Sequence, residues 1–275
     1  MSLSDLFAES TQLPHIPKVV QELIESLNDE DADMDALSKK VALDQALTAK
    51  VLRLANSAHY GISRDISTAQ DAVTLLGFST LRTMVLASGM TSAFKAPEGF
   101  DQAQFWRDSF AVAALSQWLA GFTPDGDKDT AFTCGMLHSI GQLLIHSVMP
   151  DAAKSIDQSA NMGGTRHLLE QVQLGFTSAE AGAELARRWK FPTAIQEALA
   201  GQNNPELEKP FSNMAGLLYI ARYLRRCQSD GTAEDDIIEG FPSHTAHQVG
   251  LDEQRVFDQL SELEELSSGL EGLLE

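Results

Sequence analysis

Residues 44–57 read Asp-Gln-Ala-Leu-Thr-Ala-Lys-Val-Leu-Arg-Leu-Ala-Asn-Ser, and this stretch decides how the chain folds. Leu47 and Val51 stand four residues apart, which places them on one face of an α-helix. Asn56 and Ser57 follow directly, and short polar side chains of this kind hydrogen-bond the free backbone groups where a helix ends. We therefore predict a tightly packed helix whose end is fixed by Asn56 and Ser57, with ligand contact as their alternative role.

The rest of the chain repeats this helical spacing of apolar residues, and no convincing strand alternation is present. We predict an all-α, multi-helical fold with a loop over residues 228–244. A helix capped by Ser67 is expected to end at Gly77, a residue suited to the left-handed position after a helix. Further helices are predicted near residues 79–94, 101–122, 128–149, 165–174, 177–190, 212–227 and 252–274.

Three regions are predicted along the chain. Residues 1–98 form an N-terminal helical unit, residues 99–210 form a helical core, and residues 211–275 form C-terminal helices with an acidic tail packed on that core. The last predicted helix carries a stripe of leucines on one face. We expect this stripe to dock on the core, although a dimer contact could bury the same stripe.

The chain is strongly acidic, and its negative charge is unevenly distributed along the sequence. The formal net charge is −19, and residues 230–275 hold 13 acidic side chains against one basic residue, Arg255. A nucleic-acid-binding surface needs a basic patch, so this partner class is excluded. No apolar run approaches the length of a bilayer-spanning helix, and the N-terminus lacks a signal-peptide pattern. We expect a cytoplasmic protein without a membrane partner.

The common catalytic and nucleotide-binding motifs are missing. The chain contains no G-x-S-x-G, no Walker loop, no H-E-x-x-H, and no G-x-G-x-x-G after a strand. The cysteines Cys134 and Cys227 form no C-x-x-C pair and lie in apolar helical segments, so we expect buried free thiols. The sequence thus indicates no cofactor.

Taken together, residues 11–205 resemble the HDOD family, which comprises all-helical bacterial output domains related to the HD phosphohydrolases. The resemblance starts with LPHIP at 13–17 and the stretch at 44–57, and continues in order through AVTLLG at 72–77, FW at 105–106, GMLH at 135–138 and RWKFP at 188–192. It implies an orthogonal helical bundle and a role in bacterial signal transduction.

The same resemblance identifies the positions at which HD enzymes hold a divalent metal ion. An HD enzyme has a histidine–aspartate pair where this chain has His138 and Ser139. The other matching positions are Asp108, Ser178, Gln202, Asn203 and Arg222. Hydroxyls and amides are weak ligands beside carboxylates, and arginine repels a cation. Since a hydrolytic centre needs about three protein ligands, the resemblance implies a degenerate metal site.

These replacements lead to a functional prediction. We expect a non-catalytic signalling protein that binds a protein partner or a small ligand, with no bound metal. His138 is predicted to be a hydrogen-bonded core histidine, and Asp108 either pairs with an arginine such as Arg222 or faces solvent. Two alternatives stay open: a metal-dependent phosphohydrolase with an unusual ligand set, and a sensor that keeps the old pocket for a nucleotide or cyclic dinucleotide.

Overall fold

The computed structural model describes residues 2–9, 16, 18–26, 39, 41–43, 45–56, 66–94, 97, 99–263 and 266. All regular elements within these residues are helical, which confirms the all-α prediction. The α-helices are α1 (Leu3–Glu9), α2 (Lys18–Ser26), α3 (Gln45–Ala55), α4 (Ala69–Ala93), α5 (Gln102–Ala120), α6 (Lys128–Leu137), α7 (Ile140–Val148), α8 (Pro150–Asn161), α9 (Arg166–Leu174), α10 (Ser178–Arg188), α11 (Thr193–Gly201), α12 (Asn213–Asp230), α13 (Glu234–Glu239), α14 (Ser243–Gln248) and α15 (Glu253–Phe257).

The first four helices join the same apolar core as the later ones. Helix α1 buries Leu6 and Phe7, and α2 packs on α4. The two helices approach closely at Gly89, where an added Cβ would overlap the side chain of Val20. A residue without a side chain is therefore needed at that contact.

Helix α4 is kinked, and the predicted break at Gly77 is confirmed. Gly77 has φ +82° and ψ 165°. These angles lie outside the helical region, and a positive φ of this size favours glycine. The start of α4 differs from the prediction by one residue. Thr68 rather than Ser67 is the N-cap, because its hydroxyl accepts a hydrogen bond from the backbone N–H of Asp71 at 3.0 Å.

Asn56 ties the end of α3 to the start of the segment before α4. Its Nδ2 donates to the carbonyls of Leu52 at 2.9 Å and Ile66 at 2.8 Å, and its Oδ1 accepts from the N–H of Ile66 at 2.7 Å. The side-chain amide thus links the end of α3 to the backbone of Ile66, ten residues beyond Asn56. Ser57 lies outside the described residues.

Helices α5, α6 and α12 pack together in the central part of the molecule. Gly135 on α6 lies against Ala113 on α5, where an added Cβ would come within 2.5 Å of the Ala113 Cα. Helix α5 is buried along much of its length, including Trp106 and Phe110. This packing fixes the end of α6, where the His138–Ser139 pair follows.

The prediction of one helix over residues 128–149 is wrong. Helix α6 ends at Leu137, α7 begins at Ile140, and Ser139 has φ −104° and ψ 7° between them. The bend allows α7 to lie directly against α10. An added Cβ at Gly141 would overlap the carbonyl oxygen of Ser178, so the two helices touch through their backbones. Helix α8 was not predicted separately.

The C-terminal part also differs from the prediction. Residues 228–244 are not a long loop, since α12 continues to Asp230 and α13 and α14 follow. Gly231, at φ +65°, ends α12 and lets the chain reverse. The predicted helix over 252–274 is interrupted within the described residues, because α15 gives way to a 3-10 turn at Leu260–Glu262.

Part of the predicted leucine stripe belongs to the apolar core. Val256, Leu260 and Leu263 are buried, and Leu266 is partly buried against the core; the later leucines lie outside the described residues. The division of the chain near residues 98 and 210 stays a prediction. Both cysteines are free and buried, as expected. None of the helices in the described part of the chain is both long and apolar enough to cross a bilayer.

Candidate functional site

A cleft of about 950 Å³ opens between α5, α7, α8 and the segment before α5. Its described lining comes from four places in the sequence. The residues are Pro97, Gly99, Phe100 and Asp101 before α5; Gln104, Phe105 and Asp108 on α5; His138, Ser139, Gln142 and His146 at and along α7; and Pro150, Asp151, Lys154, Asp157 and Asn161 on α8. Three of the predicted site residues, Asp108, His138 and Ser139, therefore share one cavity.

His138 is held by hydrogen bonds at both ring nitrogens. Nδ1 lies 2.7 Å from the carbonyl oxygen of Gly135, and Nε2 lies 2.7 Å from the hydroxyl of Ser139. A carbonyl oxygen can only accept, so Nδ1 carries the proton and Nε2 accepts from the Ser139 hydroxyl. The lone pair with which this imidazole would bind a metal ion is occupied by Ser139.

The electrostatic surroundings keep His138 neutral. Its pKa is lowered to about 3, chiefly by burial and then by the positive charge of Arg222, against the opposing effects of the Gly135 carbonyl and Asp108. Ser139 and His138 have the separation of a nucleophile and its base. An imidazole with so low a pKa binds a proton too weakly to act as an effective general base near neutral pH.

Asp108 pairs with an arginine, but with Arg225 rather than Arg222. Its Oδ1 accepts from Nε of Arg225 at 3.1 Å and from the terminal guanidinium nitrogen at 2.5 Å. Its Oδ2 accepts from the amide of Gln104 at 3.1 Å. Arg225 lies one turn beyond Arg222 on α12. The arginine suggested from the sequence is therefore on the correct helix, but it is not the one that faces Asp108.

Gln202, Asn203 and Arg222 form a partly buried hydrogen-bond network behind His138. The Gln202 amide donates to the backbone carbonyls of His138 and Leu199, both at 2.9 Å. Arg222 donates to the backbone carbonyl of Gln202 at 2.9 Å and to Oδ1 of Asn203 at 3.1 Å. Burial lowers the pKa of Arg222 to about 10, so it remains a cation at neutral pH.

Ser178 faces a buried carboxylate that the sequence did not indicate. Its N–H and hydroxyl donate to Oε2 of Glu170 at 2.7 and 2.8 Å, and Glu170 is 1% exposed. The other carboxylate oxygen lies 3.6 Å from a guanidinium nitrogen of Arg166. Ser178, Gln202, Asn203 and Arg222 are not part of the described cleft lining.

His146 was not among the predicted site residues. It lies on α7, two turns beyond His138, and also lines the cleft. Its Nε2 lies 3.3 Å from Oδ2 of Asp157, and its ring packs on Phe100 with 4.6 Å between centroids. Asp157 is bound in turn by the guanidinium of Arg166. The spacing of Ser139, Gln142 and His146 along one face of a helix was the signal that could have revealed this side of the cleft.

The donor set does not fit a divalent metal ion at the positions that the resemblance implies. Asp108 is engaged by Arg225, the coordinating nitrogen of His138 accepts from Ser139, and Arg222 adds a nearby positive charge. In the described part of the chain, no group of three histidine, cysteine or acidic side chains is placed to hold a metal ion.

The helical architecture, with a histidine at the break between two central helices, defines a domain of the HD-related helical class. More specifically, the chain belongs to the HDOD family, since the model of the HDOD domain matches residues 13–205.

Three similar proteins illustrate this relation. A proposed phosphohydrolase of Shewanella amazonensis SB2B is 36% identical, with a TM-score of 0.85 and 98% of each chain covered. A proposed signal transduction protein of Marinobacter aquaeolei VT8 is 25% identical, with a TM-score of 0.80; the match covers all of this chain and 61% of that one. An uncharacterised protein of Treponema pallidum (strain Nichols) is 24% identical over 214 residues, which are 74% of this chain but only 42% of that protein.

Proposed function

We propose that this HDOD protein is a non-catalytic signalling module that works by binding a protein partner or a small ligand in the cleft. The observation that carries the proposal is the hydrogen bond from Ser139 to Nε2 of His138. It uses the lone pair that metal catalysis would require, in a setting where Arg222 already supplies a positive charge.

The similar proteins are consistent with two roles. The Shewanella protein is described as a proposed phosphohydrolase, and the Marinobacter protein as one of signal transduction. A metal-dependent phosphohydrolase would need a metal ion bound by side chains such as His138 and Asp108. In this protein those side chains are hydrogen-bonded to Ser139 and Arg225 instead. For this chain we therefore favour signalling over hydrolysis, with the partner drawn from a bacterial signalling circuit.

A role as nucleotide sensor is the second alternative, and the charges near the cleft disfavour it. Phosphate recognition typically uses arginine side chains with free N–H groups. Arg225 is bound to Asp108, and Arg166 is bound to Asp157. Neither arginine belongs to the described lining of the cleft, where Lys154 is the basic residue.

Metal content and hydrolysis test the proposal together. The purified protein is analysed for Fe, Mn, Mg and Zn and assayed on bis(p-nitrophenyl) phosphate with each metal added. We expect substoichiometric metal and hydrolysis no faster than that of a His138→Ala variant. Stoichiometric metal that is lost in His138→Ala, together with turnover, would overturn the proposal. Should that variant fail to fold, Asp108→Asn serves the same comparison.

A further inference from the structure

Helix α9 turns an apolar face outward. Leu168 and Val172 stand four residues apart on this helix, so their side chains are neighbours on one face. They are 58% and 85% exposed, and Gln171 beside them is exposed as well. A single exposed apolar side chain is ordinary on a protein surface. Adjacent ones bordered by polar residues mark a place of contact with another molecule.

The inward side of α9 carries the acidic residue of this helix. Leu174 and Glu170 both point inward, and Glu170 is only 1% exposed. Its Oε2 accepts hydrogen bonds from the backbone N–H and the hydroxyl of Ser178. A surface helix ordinarily buries its apolar side chains and exposes its charged ones. Helix α9 instead buries its carboxylate and exposes Leu168 and Val172, which a contact on the outward face would explain.

The stretch that contains α9 is nearly free of acidic residues. Residues 158–179 include one acidic side chain, the buried Glu170, although the whole chain has 39 acidic residues in 275. The one lysine or arginine of this stretch, Arg166, is paired with Asp157. Two copies of a protein with a net charge of −19 repel each other over most of their surfaces. At this face they can approach without bringing acidic side chains together.

The chemistry of the outward face suits a partner identical to itself. In a two-fold symmetric dimer, every contact of one residue with another is repeated in reverse, and a charged residue near the axis meets its own charge. Two antiparallel copies of α9 would pack Leu168 on the partner's Val172, and the reverse contact would follow by symmetry. Gln171 is uncharged, and its amide donates to the carbonyl oxygen of Gly175 at 3.1 Å. No like charges therefore meet at the centre of such a contact.

We propose that the face formed by Leu168, Gln171 and Val172, named the α9 face, binds a second copy of this chain in an antiparallel, two-fold symmetric contact. The three residues lie outside the described lining of the cleft, so this inference goes beyond the proposed function and does not depend on it. A contact centred on a helix of nine residues is small, and small interfaces are typically weak. We therefore expect a reversible dimer with a Kd of ~10–100 μM.

Sedimentation velocity on the full chain, from about 1 to about 500 μM, tests for the dimer. The weight-average sedimentation coefficient is expected to rise with concentration from the monomer value toward that of a dimer. Raising the salt concentration from about 0.05 to about 0.5 M is expected to tighten the dimer at least about twofold, because salt screens the repulsion between two acidic copies. A dimer that weakens in salt would contradict the apolar contact. A chain that stays monomeric throughout would leave the α9 face to a different protein and overturn the proposal.

Two single variants that place a charge on the α9 face test the location. Leu168→Glu puts an anion in the first turn of α9 and Val172→Lys puts a cation in the last, and both charges are favourable there, so the helix is retained. Each homodimer would bury two unpaired charges, so each variant is expected to dimerise at least about tenfold more weakly than the wild type. The control, Leu207→Lys, changes a 76% exposed leucine outside α9 and is expected to dimerise like the wild type. Undiminished dimerisation in either α9 variant, or an equal loss in the control, would refute the location. Circular dichroism checks that each variant is folded.

A mixture of the two variants tests the antiparallel arrangement. In the mixed dimer the lysine introduced at position 172 of one protomer faces the glutamate introduced at position 168 of its partner, while the second Leu168–Val172 contact stays apolar. We expect the mixed dimer to be at least about fivefold tighter than the dimer of either variant alone. Fluorescence-detected sedimentation, with one variant labelled at its N-terminus, provides the measurement. A mixed dimer no tighter than those of the separate variants would overturn the antiparallel contact. Metal-dependent hydrolysis would overturn the proposed function and leave this result unchanged.

Discussion

Lowering the pH is expected to destabilise the protein through His138. The pKa of this residue in the folded protein is about 3, below the ordinary value of 6.5, because burial and then Arg222 disfavour the imidazolium. Between these two values the unfolded chain binds a proton that the folded protein does not. Stability is therefore full above about pH 6.5 and falls as the pH drops toward 3.

The size of the effect follows from the shift. At about pH 5, roughly 1.5 pH units below the ordinary pKa, one such histidine costs about 2 kcal/mol relative to about pH 7.5. His146 and other groups also titrate in the folded protein, so the total pH dependence contains more than this contribution. A His138→Asn variant removes the His138 part alone, and its amide keeps a donor for the Gly135 carbonyl.

Urea denaturation followed by circular dichroism, at both pH values, provides the measurement. The loss of unfolding free energy between the two pH values is expected to be about 2 kcal/mol smaller in His138→Asn than in the wild type. His244→Asn, at an exposed position, controls for the change of side chain. An equal pH dependence in wild type and His138→Asn, or an NMR titration of His138 near pH 6.5, would refute the reasoning. The NMR titration remains decisive if the variant does not fold.

Three further changes test the packing and the polar contacts. Gly141→Ala is expected to lose roughly 2–3 kcal/mol against urea despite the better helix propensity of alanine, because its Cβ overlaps the α10 backbone. Gly182→Ala, whose Cβ would find its nearest neighbours at 3.3 Å, should lose less than about 1 kcal/mol, and equal losses would contradict the geometry. Asn56→Ala removes three hydrogen bonds and should lower the unfolding free energy by about 1–3 kcal/mol in the same assay; no loss would mean that the amide is dispensable. A double-mutant cycle with Asp108→Asn and Arg225→Gln should give a coupling energy below about 1 kcal/mol, because the two side chains are 42% and 24% exposed to solvent. A coupling energy of several kcal/mol would mean that the ion pair is much better shielded from water than its exposure indicates.

Local features of the fold were predictable because their cause lies within a few neighbouring residues. The break at Gly77 follows from a single glycine, and the helix predicted from residue 177 begins where Thr177 and Glu180, three residues apart, cap α10. The break after α6 was missed because its cause is distant. Gly141 must meet the backbone of Ser178, a contact that spacing along the chain does not reveal.

The candidate site was predictable only in part, for the same reason. Asp108, His138 and Ser139 were placed together through the resemblance, and they share the cleft. For Asp108 the sequence suggested either an arginine such as Arg222 or solvent, and the structure pairs it with Arg225 on the same helix. The pairing joins residues 117 positions apart, and no local pattern determines which arginine faces α5.

Helix α12 has a consequence for how the protein can be divided. The HDOD match ends at residue 205, yet α12 beyond it supplies Arg225 to Asp108 and Arg222 to the carbonyl of Gln202. It also covers apolar residues of α5 and α6. A fragment limited to residues 13–205 would keep the sequence by which the family is recognised, but it would expose the apolar residues of α5 and α6 that α12 covers. We expect such a fragment to aggregate on expression, because the boundary of sequence similarity is not a boundary of folding.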